Sequence, residues 1–374
     1  MIKNAVNLLH VIPFLLVSCS LVKGDQDRQE SGFPVTPNAT PETVALFRNL
    51  IEIQKTHILF GHQDATLYGV NWKDIRGKSD VKDVTGSYPA VYGFDFGRLP
   101  STDSALAADK TRQAVIDAWE RGGVSTFCWH HSNPVTGKNF YDTTRAVYAI
   151  LPGGKFHESY KKVLDNIAWY ANSLKDKNGK LIPVMFRPYH EYDGDWFWWG
   201  KPFCTPEEFK SLFRFVVDYL RNEKKVTNFL FCFSPDRKFY SEADFLTRYP
   251  GNEYVDLVGI DNYWDFRPDG GVYDSVAVKL KWISGFASKH GKIAAMTETG
   301  LESIPDSTWW TKKLYPAIRR DDIKIAYVLV WRNANAKHHY APIPGGKSAE
   351  DFKKFRNLPG IWFEEDLAGF RGKR

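Results

Sequence analysis

Cysteine and methionine are scarce in this chain, with 4 and 3 among 374 residues. No two cysteines form a CxxC pair, so a disulfide framework and a thiolate metal knuckle are both disfavoured. Basic runs are absent. The 50 Lys and Arg are scattered among 44 Asp and Glu, and the net charge of +6 describes a mixed, solvated surface rather than a nucleic-acid stripe. No HExxH spacing is present. His130, His131 and His190 remain as candidates for a metal hydrolase, but no sequence spacing gathers them into a ligand set. No metal and no cofactor is expected. No apolar run is long enough to span a bilayer as a helix.

The first twenty residues, "MIKNAVNLLHVIPFLLVSCS", hold one Lys, an apolar stretch and then small residues. That is the layout of an export signal. "LVSC" resembles the lipobox of bacterial lipoproteins, which implies cleavage after residue 18 and a lipid on Cys19. A plain secretory signal with an incidental Cys is the alternative. Residues 20–40 are polar and hold Gly and Pro, and read as a tether. The expected organisation is a signal at 1–18, a lipidated Cys and tether at 19–40, and one catalytic domain at 41–374. The expected location is outside the cytoplasm, anchored to the outer membrane, with the periplasmic face favoured over the cell surface. A monomer is expected. Cys128, Cys204 and Cys232 read as small buried hydrophobes.

What is plentiful is aromatic, 15% of the chain with 13 Trp. Eight short apolar runs recur along it: "HILFGHQD", "PAVYGFDF", "VSTFCWHH", "IPVMFRPYHE", "NFLFCFSPD", "VDLVGIDNY", "IAAMTETG" and "IAYVLVWRN". Such runs fit strands buried on both faces. Amphipathic stretches with helical spacing lie between them, among them "PEEFKSLFRFVVDYLRNE", which Thr205 and Pro206 introduce as a cap and first turn. Eight strands alternating with helices predict a closed (β/α)8 TIM barrel. Each run also ends, on its C-terminal side, in polar or aromatic residues. In a barrel those ends share the face on which sites are built.

Two of those ends carry Glu191 and Glu298. Two carboxyl groups flanking a bond suit glycoside hydrolysis, one giving a proton and the other attacking. Glu191 lies in "FRPYHEYDGDWFWWG", where acids meet indoles. A proton donor needs a raised pKa, which Trp196, Phe197, Trp198 and Trp199 would supply by excluding water and Glu298 by its charge. Trp196, nearest the polar residues, is the tryptophan expected to meet a sugar face. Core packing is the alternative for Trp198 and Trp199. Asp95 and Asp261 are expected to bind a hydroxyl or orient a neighbour.

These residues resemble family 26 of the glycoside hydrolases, the β-mannanases. "RPYHEYDGDWFWWG" is similar to that family's acid/base motif, and "WHHSNP", "GIDNYW", "TETG" and "VWRN" follow in its order. The resemblance implies a retaining hydrolase of β-1,4-mannan, with Glu191 as acid/base and Glu298 as nucleophile. It implies that His190 sets the local charge and that Tyr263 hydrogen-bonds the nucleophile. It places Trp331 under the sugar, Arg332 at the next sugar, and Trp129 and His130 along the same wall. A further tryptophan platform has no counterpart in "NFYDTTRAVYAILPGG", which offers Phe140, Tyr141 and Tyr148. Three readings stay open beside mannan: a β-1,3-xylanase, a mixed-linkage β-glucanase, and a non-enzymatic glycan-binding lipoprotein. Mannobiose release from the non-reducing end and random internal cleavage are likewise both open, with the Asn139 to His157 loop as the segment that would wall the cleft.

Overall fold

The computed structural model describes Met1 and residues 32–369, apart from Arg98 and Gly270. The expected export signal beyond Met1, Cys19 and the first part of the expected tether lie outside the described residues. Eight parallel strands form a closed barrel: β1 (Ile58–Gln63), β2 (Val91–Asp95), β3 (Val124–Cys128), β4 (Val184–Arg187), β5 (Phe229–Phe233), β6 (Leu257–Asn262), β7 (Ile293–Thr299) and β8 (Tyr327–Val330). Each pairs with the next, and β8 returns to β1 through Leu59–Tyr327 to His62–Val330. A two-residue strand, β9 (Ile361–Trp362), pairs with the start of β1, ahead of the stretch that pairs with β2. All eight predicted runs are barrel strands.

Period-two alternation sorts each strand's side chains. Leu59, Val91, Met185, Leu230, Cys232, Leu257, Ala295, Tyr327 and Leu329 cluster in the lumen. The alternate residues, such as Phe60, Phe94, Phe127 and Val328, pack outward against the helices. The outer layer includes α2 (Lys110–Arg121), α3 (His157–Ser173), α4 (Pro206–Asp218) and α5 (Tyr273–Lys289). At the start of α4 the Thr205 hydroxyl accepts from the Glu208 amide at 3.1 Å, and Glu208 accepts from the Thr205 amide at 2.7 Å. This is the reciprocal cap expected of "TPEEF".

Helix α1 (Pro41–Thr56) plugs the N-terminal end of the lumen. Its Leu46, Phe47, Leu50 and Ile53 join the lumen cluster. Burial of each contributes roughly 2 kcal/mol. The chain ahead of it is also fixed there. The Val35 amide donates to Asp256 at 2.6 Å, just before β6, and the Thr40 amide to the Thr227 carbonyl at 3.0 Å, just before β5. Residues 35–40 therefore belong to the packed body, a correction to a tether reaching residue 40. Thr36 is buried there.

One irregularity sits at the other end of the barrel. In β7, Met296 pairs with Ile260 and Val328, but Glu298 pairs with Asp261 and Thr299 with Val330. One extra residue, around Thr297, bulges relative to both neighbours. A bulge re-aims the side chain that follows it. Gly259 makes room: a Cβ there would meet Thr297 side-chain atoms at 2.4 to 2.6 Å.

Candidate active site

The cleft opens at the C-terminal ends of the strands and encloses about 570 Å³. Glu191 and Glu298 both line it, with His130, His190, Trp196, Tyr263 and Trp331.

Glu298 is held from two sides. Both of its oxygens accept hydrogen bonds: Oε1 from the Arg187 guanidinium and Oε2 from the Tyr263 hydroxyl at 2.8 Å. Arg187 is itself buried and also donates to Asp261 Oδ2 at 2.6 Å and Ser234 Oγ at 3.1 Å. The bulged Thr297 donates its hydroxyl to the other oxygen of Asp261 at 2.6 Å. The chain Thr297–Asp261–Arg187–Glu298 thus fixes the carboxylate through the wall of the barrel. Asp261 is fully buried and outside the cleft lining, so it orients Arg187 rather than meeting a ligand. Arg187 escaped sequence reasoning. Its position at the end of the fourth apolar run was the available signal, since a buried Arg needs acids beside it.

Glu191 is treated differently. Strand β4 ends at Arg187, and Glu191 lies four residues beyond, in a turn. Tyr189 and Glu191 both adopt left-handed backbone, each with φ 53°. That conformation is costly for a non-glycine residue. Packing holds it: the Glu191 amide donates to the Ser234 carbonyl at 3.0 Å, and Trp199 Nε1 to the His190 carbonyl at 2.8 Å. Trp196 Nε1 donates to Glu191 Oε2 at 2.7 Å. Removal from bulk water pushes the Glu191 carboxyl well above its usual range, and the charges of Asp261, Glu298 and Asp236 push the same way; the Trp196 bond opposes them. His190 is driven the other way, well below its usual value, by burial and by Arg187 and His130.

The four aromatics of the motif divide by depth. Trp198 and Trp199 are fully buried, and Trp198 Nε1 donates to the His131 carbonyl at 2.9 Å. Phe197 stacks on Trp199, with ring centroids 4.5 Å apart, and Tyr141 stacks on Phe197 at 5.7 Å. Tyr141 is exposed and lines the cleft, whereas Tyr148 does not reach it.

Two expected cleft residues lie elsewhere. Trp129 is buried, stacked on His131 at 4.7 Å and packed beside Tyr160 and Tyr189, on the same outward side as Phe127 two residues before it. It supports the wall and has no face in the cleft. The next residue, His130, has the cleft position, with its amide and Nδ1 on Asp95 at 3.0 and 2.8 Å. Arg332 stands beside the cleft lining and donates to the Tyr68 hydroxyl at 3.5 Å; Tyr68 donates in turn to Asp64. Tyr68 belongs to a small hairpin, Tyr68–Gly69 with Trp72–Lys73. Buried Asp80 pins that hairpin, accepting from the Val70 amide at 3.0 Å, Trp72 Nε1 at 2.6 Å and Asn333 Nδ2 at 2.9 Å. Among the described residues the close groups of metal-donor side chains are Asp95–Cys128–His130 and His190–Asp261–Glu298, and neither uses His131.

The profile of Glycosyl hydrolase family 26 matches residues 35–341. A mannan endo-1,4-beta-mannosidase of Bifidobacterium adolescentis is 37% identical over 85% of this chain, which spans only 34% of that longer relative. A GH26 beta-mannanase structure from Bacteroides ovatus is 42% identical, with a TM-score of 0.82 over 87% of this chain and 96% of that one. A GH26C structure from Muricauda sp. MAR_2010_75 is 39% identical, with a TM-score of 0.85 over 92% and 97%. The chain is a member of glycosyl hydrolase family 26 and carries its active-site cleft on a single (β/α)8 barrel.

Proposed function

We propose that this protein hydrolyses β-1,4-mannan chains with retention of configuration, Glu191 serving as acid/base and Glu298 as nucleophile. One observation carries the reading: two carboxyl groups share a cleft but differ in environment. Glu298 is gripped by a cation and a hydroxyl on its two oxygens. Glu191 is buried near Asp261, Glu298 and Asp236, and burial and those charges favour its protonated form. Such divergence separates a nucleophile from a proton donor. In the first step Glu298 attacks the anomeric carbon while Glu191 protonates the departing oxygen. In the second, ionised Glu191 takes a proton from water, which displaces Glu298. Trp331 and His130 would flank the donor sugar.

Mannan is favoured because two of the relatives named above, from Bifidobacterium adolescentis and Bacteroides ovatus, are described as β-mannanases. The test is product analysis on mannan, glucomannan, β-1,3-xylan and mixed-linkage glucan. Preferential cleavage of mannan or glucomannan is expected; sole cleavage of either other polymer would replace the reading. The finer proposal is a short donor side that releases mannobiose. Its support is the hairpin, whose Tyr68 holds Arg332 beside the cleft. Attachment through Cys19 to the periplasmic face of the outer membrane is likewise proposed, on the "LVSC" sequence alone. A Cys19→Ser variant that still sediments with membranes would count against it. Among the described residues no helix is long and apolar enough to cross a membrane.

A further inference from the structure

The cleft carries more cations on one side than a neutral sugar chain requires. Trp264, 39% exposed, follows Tyr263 directly. Two guanidinium groups lie over its ring, Arg237 at 5.2 Å and Arg267 at 4.9 Å from the centroid. Arg267 is paired in bidentate fashion with Asp269, at 2.9 and 2.7 Å. Lys238 sits 4.6 Å from the Trp196 centroid, with Asp195 at 3.4 Å. For Arg237, no carboxylate lies within ion-pair distance among the described residues. Its neighbour Asp236 is buried, and burial together with the charge of Asp193 lifts the Asp236 carboxyl to about 7. All but Asp195, Asp193 and Asp269 line the same cleft as Glu191 and Glu298.

This side is the acceptor side if Glu191 is the proton donor. Trp196, which binds Glu191, lies against Lys238, while Trp331 packs beside His130, whose ring centroid is 5.9 Å away. A guanidinium held over an indole by its charge still has five N–H donors in a planar fork with which to meet a ligand. The contact also limits the freedom such a side chain must lose on binding. A planar fork of this kind matches a carboxylate.

We propose that the acceptor side of this cleft is a subsite for an acidic sugar, with Arg237, held over the Trp264 ring, pairing with the carboxylate of a uronic acid residue in the glycan. The proposal rests on the assignment of Glu191 above but does not require that the neutral chain be mannan.

The probe is β-1,4-linked dimannuronate, which differs from mannobiose by a carboxylate at C6 of each sugar. Both are titrated into the full protein at pH 7, with tryptophan fluorescence or calorimetry as readout. Dimannuronate is expected to bind about fivefold tighter than mannobiose at low salt, the scale of a partly exposed ion pair. The ratio should fall toward one at about 0.5 M salt. Arg237→Gln should bring it to about one at low salt, and Arg237→Lys should retain part of it. A ratio at or below one in the unaltered protein overturns the proposal, as does an unchanged ratio in Arg237→Gln. Hydrolysis of neutral mannan separates the two readings. Cleavage of mannan with a ratio of one removes the acidic subsite alone. No cleavage of mannan with an Arg237-dependent ratio removes the mannan reading alone.

Discussion

At the scale of single residues, the two carboxyl groups should fail in different ways. Glu191→Ala should lower polymer hydrolysis by about 10²–10⁴-fold, the usual worth of general acid–base help. An aryl glycoside whose leaving group needs no proton should still form the glycosyl-enzyme rapidly, and burst kinetics would show it. Glu298→Ala should abolish both reactions; equal losses on both substrates for Glu191→Ala would count against the roles. Trp196 gives a pH test. Its N–H bonds the Glu191 carboxyl and favours the ionised form. Trp196→Phe removes that preference, so the Glu191 pKa should rise. Activity needs the protonated acid, so the alkaline limb of kcat/KM should move to higher pH, by about half a unit to one unit. An unmoved or acid-shifted limb would show that the bond does not tune the acid.

At the scale of elements, the β7 bulge and the hairpin after β1 carry the geometry. Gly259→Ala would press a Cβ into Thr297 and so displace the Asp261–Arg187–Glu298 chain. A shift near 1 Å costs about 10²-fold, so kcat should fall by that order while the circular dichroism spectrum is kept. Asp80→Ala would take the shared acceptor from three donors at the hairpin, Asn333 buried and Val70 and Trp72 half-buried. A loss of about 3 kcal/mol is expected in denaturant unfolding, with a higher KM from a loosened Arg332. Much of this level was legible in the sequence. The apolar runs and their polar ends depend on local pattern, which survives in a string of letters. So does the Thr205 cap. The bulge was not legible, because "AAMTETG" reads as unbroken strand and the extra residue exists only against the register of β6 and β8. Trp129 was misplaced for a different reason. The alternation of β3, in which Phe127 faces outward, puts Trp129 outward and His130 toward the cleft, but a strand apolar on both faces does not disclose which face is which. The hairpin was missed because its strands are two residues each, shorter than any alternation that could announce them.

At the scale of the whole molecule, product pattern reports the shape of the cleft. If Tyr68 and Arg332 shorten the donor side, early digests of mannan should contain mannobiose with a slow fall in viscosity. A ladder of oligosaccharides with rapid thinning would show an open groove. The placement of helix α1 has a consequence of another kind. Residues 35–40 and α1 are fastened where the strands begin, and the cleft opens where they end. The chain therefore enters the body at the closed floor of the barrel. A bead, a sensor chip or a fused partner joined ahead of Gly32 meets that floor, and the mouth is left turned toward bulk solution, where a long polymer can thread across it unhindered.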